Sequence, residues 1–366
     1  MSRKNQAVEA EGPGKGVQAP SLHVLRYMGG KRHLLGFLLP HLLPLLQPGQ
    51  LFVDLFAGSA VVSYALKGRQ LLWANDVEAY SVVLSRALLQ GRPGQVDAQW
   101  ARTHLLPLVR YNEAHGVFTY FQRTFADTYF SPEQCLELDS WRYAIEVGTS
   151  GVQKDLCLTA LIYAACYVQS APGHFAQYLP PRHPRAVALR RLQVRPAFLQ
   201  KCDDLARLQE AYGPACVTGS DALRLFVPEY RQAWAQARLI YLDPPYTAEQ
   251  YSRFYHVLNT LVLYDQPEVR YSGRYRTDRF QSRFCQARAA REEFRQLLSQ
   301  IAAWAPQAAV AISYGLPGVV PVEQLVELSA SLYRRVDVYS LPCAHSTLGK
   351  GPQQAVEFLL VLQSAR

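Results

Sequence analysis

Asp243-Pro244-Pro245-Tyr246 sets a carboxylate behind the apolar run LIYL and an aromatic ring after two prolines. Each proline fixes φ at about −65° and removes an amide donor, so the turn holds carboxylate and ring in a set relation. One chemistry that suits such a turn is activation of an exocyclic amine on a nucleobase. The lone pair of that amine is delocalised into the base, and acceptors for both of its N–H groups free the pair to attack a methyl group. Asp243 and the carbonyl of Pro244 supply two acceptors, and Asp243 or water takes the released proton. Tyr246 offers a face for a base swung out of a duplex, and no metal is needed. The plainer alternative is a stiff turn with a capped aspartate.

Two further carboxylates close apolar runs upstream. Asp54 ends LFVD and precedes FAGSA and the helix-like VVSYALKG; Asp76 ends QLLWAND, 22 positions later (76 minus 54), and precedes AYSVVLSRALL. Gly58 in the first turn lets a ligand approach the backbone beside the free amides of a helix start. A carboxylate at the next strand end can take two hydrogen bonds from a ribose. The three-glycine dinucleotide fingerprint is absent, since Gly58 alone remains of it, so there is no pyrophosphate cradle. An adenosine ligand without phosphates, such as S-adenosylmethionine, suits these residues better than a nicotinamide cofactor. The alternative makes Asp54 a helix cap and Asp76 a solvated strand end.

These side chains need a scaffold. Strand, tight turn and helix occur twice in succession from residue 51, which implies a parallel, helix-covered sheet. Further strands are expected at 239–242, 309–315 (AVAISYG) and 355–362 (AVEFLLVL). Between Asp76 and Asp243 lie 167 positions (243 minus 76), whereas a sheet crossover needs a few tens of residues. The excess is expected to form an inserted, largely helical domain over 86–205, with DLCLTALIYAACYVQ at 155–169 as its clearest element and QYLPPRHPRAVALRRLQVRP at 177–196 as a basic surface segment.

Composition narrows the partners. Lys plus Arg outnumber Asp plus Glu by 38 to 29, a formal charge of +9, which favours a polyanionic partner. The seven cysteines contain no C-x-x-C pair, so zinc and a disulfide framework are not expected and a reducing cytoplasm is. LLGFLLPHLLPLL at 34–46 is too short to span a bilayer and is broken by His41 and two prolines, so no membrane partner is expected. Residues 1–20 have the composition of a disordered leader.

Four motifs in order, YMGGK at 27–31, DLFAGSA at 54–60, AND at 74–76 and LDPPY at 242–246, resemble the Dam-like N6-adenine DNA methyltransferases. The long insertion falls where that family places its target-recognition domain. The resemblance implies an α/β, Rossmann-like methyltransferase sheet with helices on both faces, made from 21–85 and 206–366, with recognition insertion 86–205. It implies that Tyr27, Lys31, Asp54, Gly58, Asp76 and Asp221 serve S-adenosylmethionine, with Asp76 on its ribose and Asp221 near its adenine. Asp243, with Pro244 and Tyr246, would lie between cofactor and target amine. The chain departs from the family in having Asp54 where Glu is frequent, Ser59-Ala60 in the cofactor loop, and GHFAQY at 173–178 where the family has G-x-F-N-x-P-Y-G.

The tyrosine-rich YSRFYHVLNTLVLYD at 251–265 and the arginine-rich stretch after it are similar to one subgroup of these enzymes. Eight arginines stand between 270 and 295 against three acids. Interleaved with Tyr271, Tyr275, Phe280 and Phe284, the first five (Arg270, Arg274, Arg276, Arg279 and Arg283) suit phosphate contact and base stacking in a loop over 266–290. Arg288, Arg291 and Arg295 read as a solvated helix face. His256 reads as a packed histidine and His345-Ser346-Thr347 as a surface turn. The expected function is adenine-N6 methylation of duplex DNA with base flipping, within a restriction-modification or related defence system. The enzyme is expected to be cytoplasmic and nucleoid-associated, a monomer or weak dimer, with a cognate restriction endonuclease as a further candidate partner. The rival readings are cytosine-N4 or RNA-base methylation, and a non-catalytic DNA-binding relative.

Overall fold

Seven strands form the main sheet of the computed structural model, which describes residues 31–345 and 353–366. Tyr27, residues 1–20, Ser346 and Thr347 lie outside the described residues. In chain order the strands are β1 (Leu51–Asp54), β2 (Leu71–Asn75), β3 (Ala215–Thr218), β4 (Ala237–Leu242), β5 (Val269–Arg270), β6 (Tyr275–Arg276), β7 (Ala309–Gly315), β8 (Tyr333–His345) and β9 (Gln353–Ala365). The main sheet runs β3-β2-β1-β4-β7-β9-β8, and β5 and β6 make a separate two-stranded ladder. The first five strands pair in parallel, while β9 runs antiparallel to both β7 and β8. From β1 the chain winds outward through β2 and β3, then returns to place β4 on the other side of β1. The strand order therefore reverses between β1 and β4, and ligands in open α/β sheets bind outside the carboxyl ends of strands at such a point.

The helices follow the same chain order: α1 (Leu35–Leu42), α2 (Val61–Leu66), α3 (Ala79–Gln90), α4 (Ala98–His104), α5 (Leu106–His115), α6 (Tyr120–Phe125), α7 (Pro132–Gly148), α8 (Gly151–Val168), α9 (Pro184–Leu189), α10 (Val194–Leu205), α11 (Arg231–Gln236), α12 (Tyr251–Leu263), α13 (Ala290–Trp304) and α14 (Val322–Leu332). Strand residues alternate between two apolar cores. Phe52, Leu72 and Tyr241 join the core that holds α1, α3, α12, the helices from α4 to α8 and α10, while Val53, Trp73 and Ile240 join Phe294, Leu297 and Leu325 of α13 and α14. Helices thus cover both faces of the sheet.

The helices α4 to α10 lie between β2 and β3. Among them α7 starts on a capping box, with Ser131 and Gln134 each taking the other's backbone N–H and Pro132 in the first turn. Buried Arg142 on α7 donates to the carbonyls of Leu261 (3.0 Å) and Val262 (3.2 Å), satisfying the otherwise open end of α12. Asp139 accepts from Tyr264 (2.5 Å) and from the backbone N–H groups of Phe121 (2.9 Å) and Gln122 (3.0 Å). α12 is kinked at Tyr255, and the carbonyl of Phe254 there accepts from the N–H of Phe175. The helix that follows Tyr246 is therefore clamped along its length by the β2-to-β3 segment.

Among the described residues, no helix is long and apolar enough to cross a membrane, and no group of three or more His, Cys, Asp and Glu side chains is placed to hold a metal ion.

Candidate active site

An open cavity, with about 1200 Å³ of free space that includes solvent at its mouth, lies outside the carboxyl ends of β1, β2, β3 and β4. The turns after those strands supply its walls: Asp54 to Ser59, Asn75 to Glu78, Ser220 to Ala222, and Asp243 to Tyr246. Lys31 enters from the turn before α1, Gln250 to Ser252 from the start of α12, and Phe280 to Phe284 from the arginine-rich loop. All the site residues expected from the sequence that lie among the described residues, apart from four of the five arginines, meet in this one space.

Gly58 adopts a left-handed φ of 53°, a conformation glycine reaches without steric cost. Its N–H donates to Asp76 Oδ2 (2.8 Å), while Asp76 Oδ1 accepts from the N–H of Glu78 (2.9 Å) and Ser81 Oγ donates to the Gly58 carbonyl (2.5 Å). Asp76 thus organises the β1 turn as well as facing the cavity. Its carboxyl lies above the usual range because burial disfavours the charge, which the backbone donors only partly restore.

Asp54 is fully buried and accepts from Ser63 Oγ (2.7 Å). Burial, opposed by that hydrogen bond and reinforced by Asp243 and Asp76, pushes its carboxyl up to about 7. Asp221 accepts the N–H of Leu223 (3.1 Å) and so starts the short turn of helix at 222–225.

Asp243 stands one residue beyond β4. The Lys31 ammonium lies 3.1 Å from its Oδ1 and 3.5 Å from Glu357 Oε1. Burial alone pulls the Lys31 ammonium down, and the two carboxylates more than offset that, leaving it above its ordinary value. For Asp243, burial raises the carboxyl, Lys31 lowers it and Glu357 raises it, with the balance at about 6. Tyr246 directs its hydroxyl to Glu357 (3.4 Å), and the Lys31 ammonium lies 5.1 Å from its ring centre.

Several residues that build the site were not singled out in the sequence. Asn75 donates to the carbonyls of Leu55 (3.2 Å) and Ser220 (2.9 Å) and accepts from Ser220 N–H (3.2 Å) and Thr218 Oγ1 (2.9 Å), tying three strand ends together. Glu78 lines the cavity and accepts from Asn259 of α12; burial, opposed by that hydrogen bond, pushes it up to about 7. Glu357 had one signal: it is the single charge in the apolar run AVEFLLVL.

The arginines divide. Arg270 and Arg274 are exposed, with Arg270 beside Glu268 (3.0 Å). Arg279 is half-buried over the Tyr275 ring, and Arg283 pairs with Glu293 (3.0 Å) at the cavity wall. Arg276 departs from the expected phosphate contact: it is 4 % exposed and grips Asp265 (2.7 and 2.6 Å) and Asp278 (3.0 and 2.9 Å). Phe284 likewise packs inward, edge-on to Phe56 and Phe294, so it is core rather than a stacking platform. His256 is buried, with Nε2 2.9 Å from the Phe175 carbonyl and its ring pushed down to about 3 by burial, consistent with a packed histidine.

Curated relatives share this sequence pattern at low identity. The chain is 28% identical over 318 residues to modification methylase LlaI of Lactococcus lactis subsp. lactis, covering 83% of this chain and 48% of that protein. It is 28% identical to type II methyltransferase M.NlaIII of Neisseria lactamica (59% of this chain, 61% of that protein) and 23% identical to type II methyltransferase M.FokI of Planomicrobium okeanokoites (80% and 44%). The chain spans about half the length of the curated relatives it matches. The match to the family extends over residues 27–202 and 229–312, which take in the Lys31 turn, α4 to α9, most of α10 and the Asp243 turn, and the chain belongs to the D12 class N6 adenine-specific DNA methyltransferases.

Proposed function

We propose that this chain transfers a methyl group from S-adenosylmethionine to N6 of an adenine flipped out of duplex DNA, as the modification activity of a restriction-modification system. The observation that carries the reading is the convergence of Asp243, at the strand-order reversal, with Gly58, Asp76 and Lys31 around one cavity.

The donor set fits the cofactor. A chain of net charge +9 lines this cavity with Asp76, Asp221, Asp243 and Glu293, and with Asp54 and Glu78 partly ionised near pH 7, against Lys31 and Arg283. Such a wall favours a ligand that carries positive charge. S-adenosylmethionine, when bound, supplies an electrophilic methyl group on a cationic sulfur. Asp76 would hold the ribose, Asp221 would lie toward the adenine, and Gly58 would leave room for the ligand at the β1 turn.

Asp243 accepts one N–H of the target amine and the Pro244 carbonyl the other, which orients the amine lone pair and makes it available. Asp243 or water takes the proton released from nitrogen. Tyr246 lines the cavity beside Asp243 and would stack on the flipped base. Residues 86–205 form the target-recognition part, and Arg270, Arg274 and Arg279 meet phosphates.

The test is methyl transfer to DNA followed by nucleoside analysis. Wild-type protein yields N6-methyladenine, and Asp243→Ala yields none while keeping its thermal unfolding transition. Methylation by Asp243→Ala at the wild-type rate overturns the assigned acceptor, and N4-methylcytosine or a modified RNA base as product overturns the substrate.

A further inference from the structure

Glu357 sits on β9, 2 % exposed, and does not line the cavity. A carboxylate so deeply buried costs several kcal/mol unless it is paired. Its polar neighbours include Lys31 Nζ at 3.5 Å and the Tyr246 hydroxyl at 3.4 Å. The same ammonium lies 3.1 Å from Asp243, so both ends of the Asp243–Tyr246 turn are tethered to one side chain behind it.

The sheet makes room for this arrangement. Gly315 pairs directly with Glu357 across β7 and β9, and a Cβ on Gly315 would come within 2.9 Å of the Tyr246 ring. A bare backbone on one strand and a carboxylate opposite it thus form the seat of Tyr246.

We propose that Glu357 is a positioning residue for methyl transfer, acting through Lys31 and Tyr246: it fixes the Asp243–Tyr246 turn and shares the Lys31 charge, so that Asp243 remains a strong hydrogen-bond acceptor. This rests on the methyltransferase reading given above. Without Glu357, the whole Lys31 charge would fall on Asp243 and weaken its hold on an amine proton. Among the described residues, the other ionisable groups bearing on Asp243 are Asp54 from β1, Asp76 just after β2, Tyr241 from β4 and Tyr251 from α12. Glu357→Gln leaves all of them in place, keeps the side-chain shape and removes one negative charge. The Glu357 contribution to Asp243 is upward, which fits that account.

The experiment is the pH dependence of kcat and of KM for S-adenosylmethionine in the full chain, for wild type, Glu357→Gln and Glu357→Asp. If wild type transfers no methyl group, the underlying reading fails and not this inference. Given an active wild type, kcat of Glu357→Gln should fall roughly tenfold, and its acidic limb should move to lower pH by up to about one unit, with KM changed by less than about threefold. Glu357→Asp, which keeps the charge but shortens the reach, should recover part of both effects. A Glu357→Gln profile superimposed on wild type overturns the proposal, as does a loss confined to KM. Should Glu357→Gln fail to fold, Glu357→Asp decides: a wild-type kcat and acidic limb in that variant overturns it.

Discussion

The backbone N–H of Gly58 donates to the Asp76 carboxylate at 2.8 Å, joining the turn after β1 to the end of β2 across 18 residues of chain. One carboxylate therefore shapes the glycine turn and faces the cavity that the turn encloses. Asp76→Ala should loosen the turn and remove the proposed ribose acceptor together. Charged hydrogen bonds of this kind contribute about 1.5–3 kcal/mol each, so affinity for S-adenosylmethionine should fall by roughly tenfold or more. Gly58→Ala forces a side chain into the left-handed region at a cost of about 1 kcal/mol and should weaken binding in the same direction. Calorimetric titration checks both, and wild-type affinity in Asp76→Ala would remove Asp76 from the cofactor site.

Asp54 gives a pH-dependent expectation. Its carboxyl is raised from 3.8 to about 7, chiefly by burial. Between those values the folded chain holds a proton that the unfolded chain has lost, so this group's contribution to stability declines as pH rises through that window. Asp54→Asn removes the ionisation while keeping the shape. Its melting temperature relative to wild type should match near pH 4, climb through the window and level off above pH 7, where the gain is on the order of 4 kcal/mol. A melting-temperature difference that does not change with pH would show that Asp54 titrates normally.

The strands that end at or just before Asp54, Asp76 and Asp243 are legible in the sequence because each holds a short apolar run (LFV, LLWA and LIYL), the pattern of a parallel strand buried on both faces. The edges are not. β3 is four residues, ACVT, none of them fully buried, and β8 (YRRVDVYSLPCAH) carries charges and a proline in keeping with its pairing on one side only. The expected parallel sheet accordingly ends, at its far side, in the β8–β9 antiparallel pair. Within the site, residue type and spacing find groups that line the cavity, such as Asp76 and Asp243. They do not find Glu357, Asn75 or Asn259, whose roles arise from partners more than a hundred residues away in sequence. The arginine-rich loop shows the same limit, because Arg274 and Arg276 are two residues apart and their surroundings differ entirely.

Those two arginines make a paired test. Arg276 is buried between Asp265 and Asp278, and it closes the β5–β6 ladder against α12. Its partners are largely exposed, so water screens the carboxylates left behind, and Arg276→Ala should cost about 1–2 kcal/mol and lower the melting temperature. Arg274 is exposed in the turn between the strands, and its replacement by alanine should leave the melting temperature unchanged. It should instead weaken DNA binding uniformly across sequences and reduce the slope of log affinity against log salt by about 1. DNA-binding titrations at several salt concentrations, run beside thermal unfolding, separate the two. If Arg276→Ala lowers the salt slope as Arg274→Ala does and unfolds at the wild-type temperature, Arg276 is a phosphate contact and its pairing with Asp265 and Asp278 gives way when DNA binds.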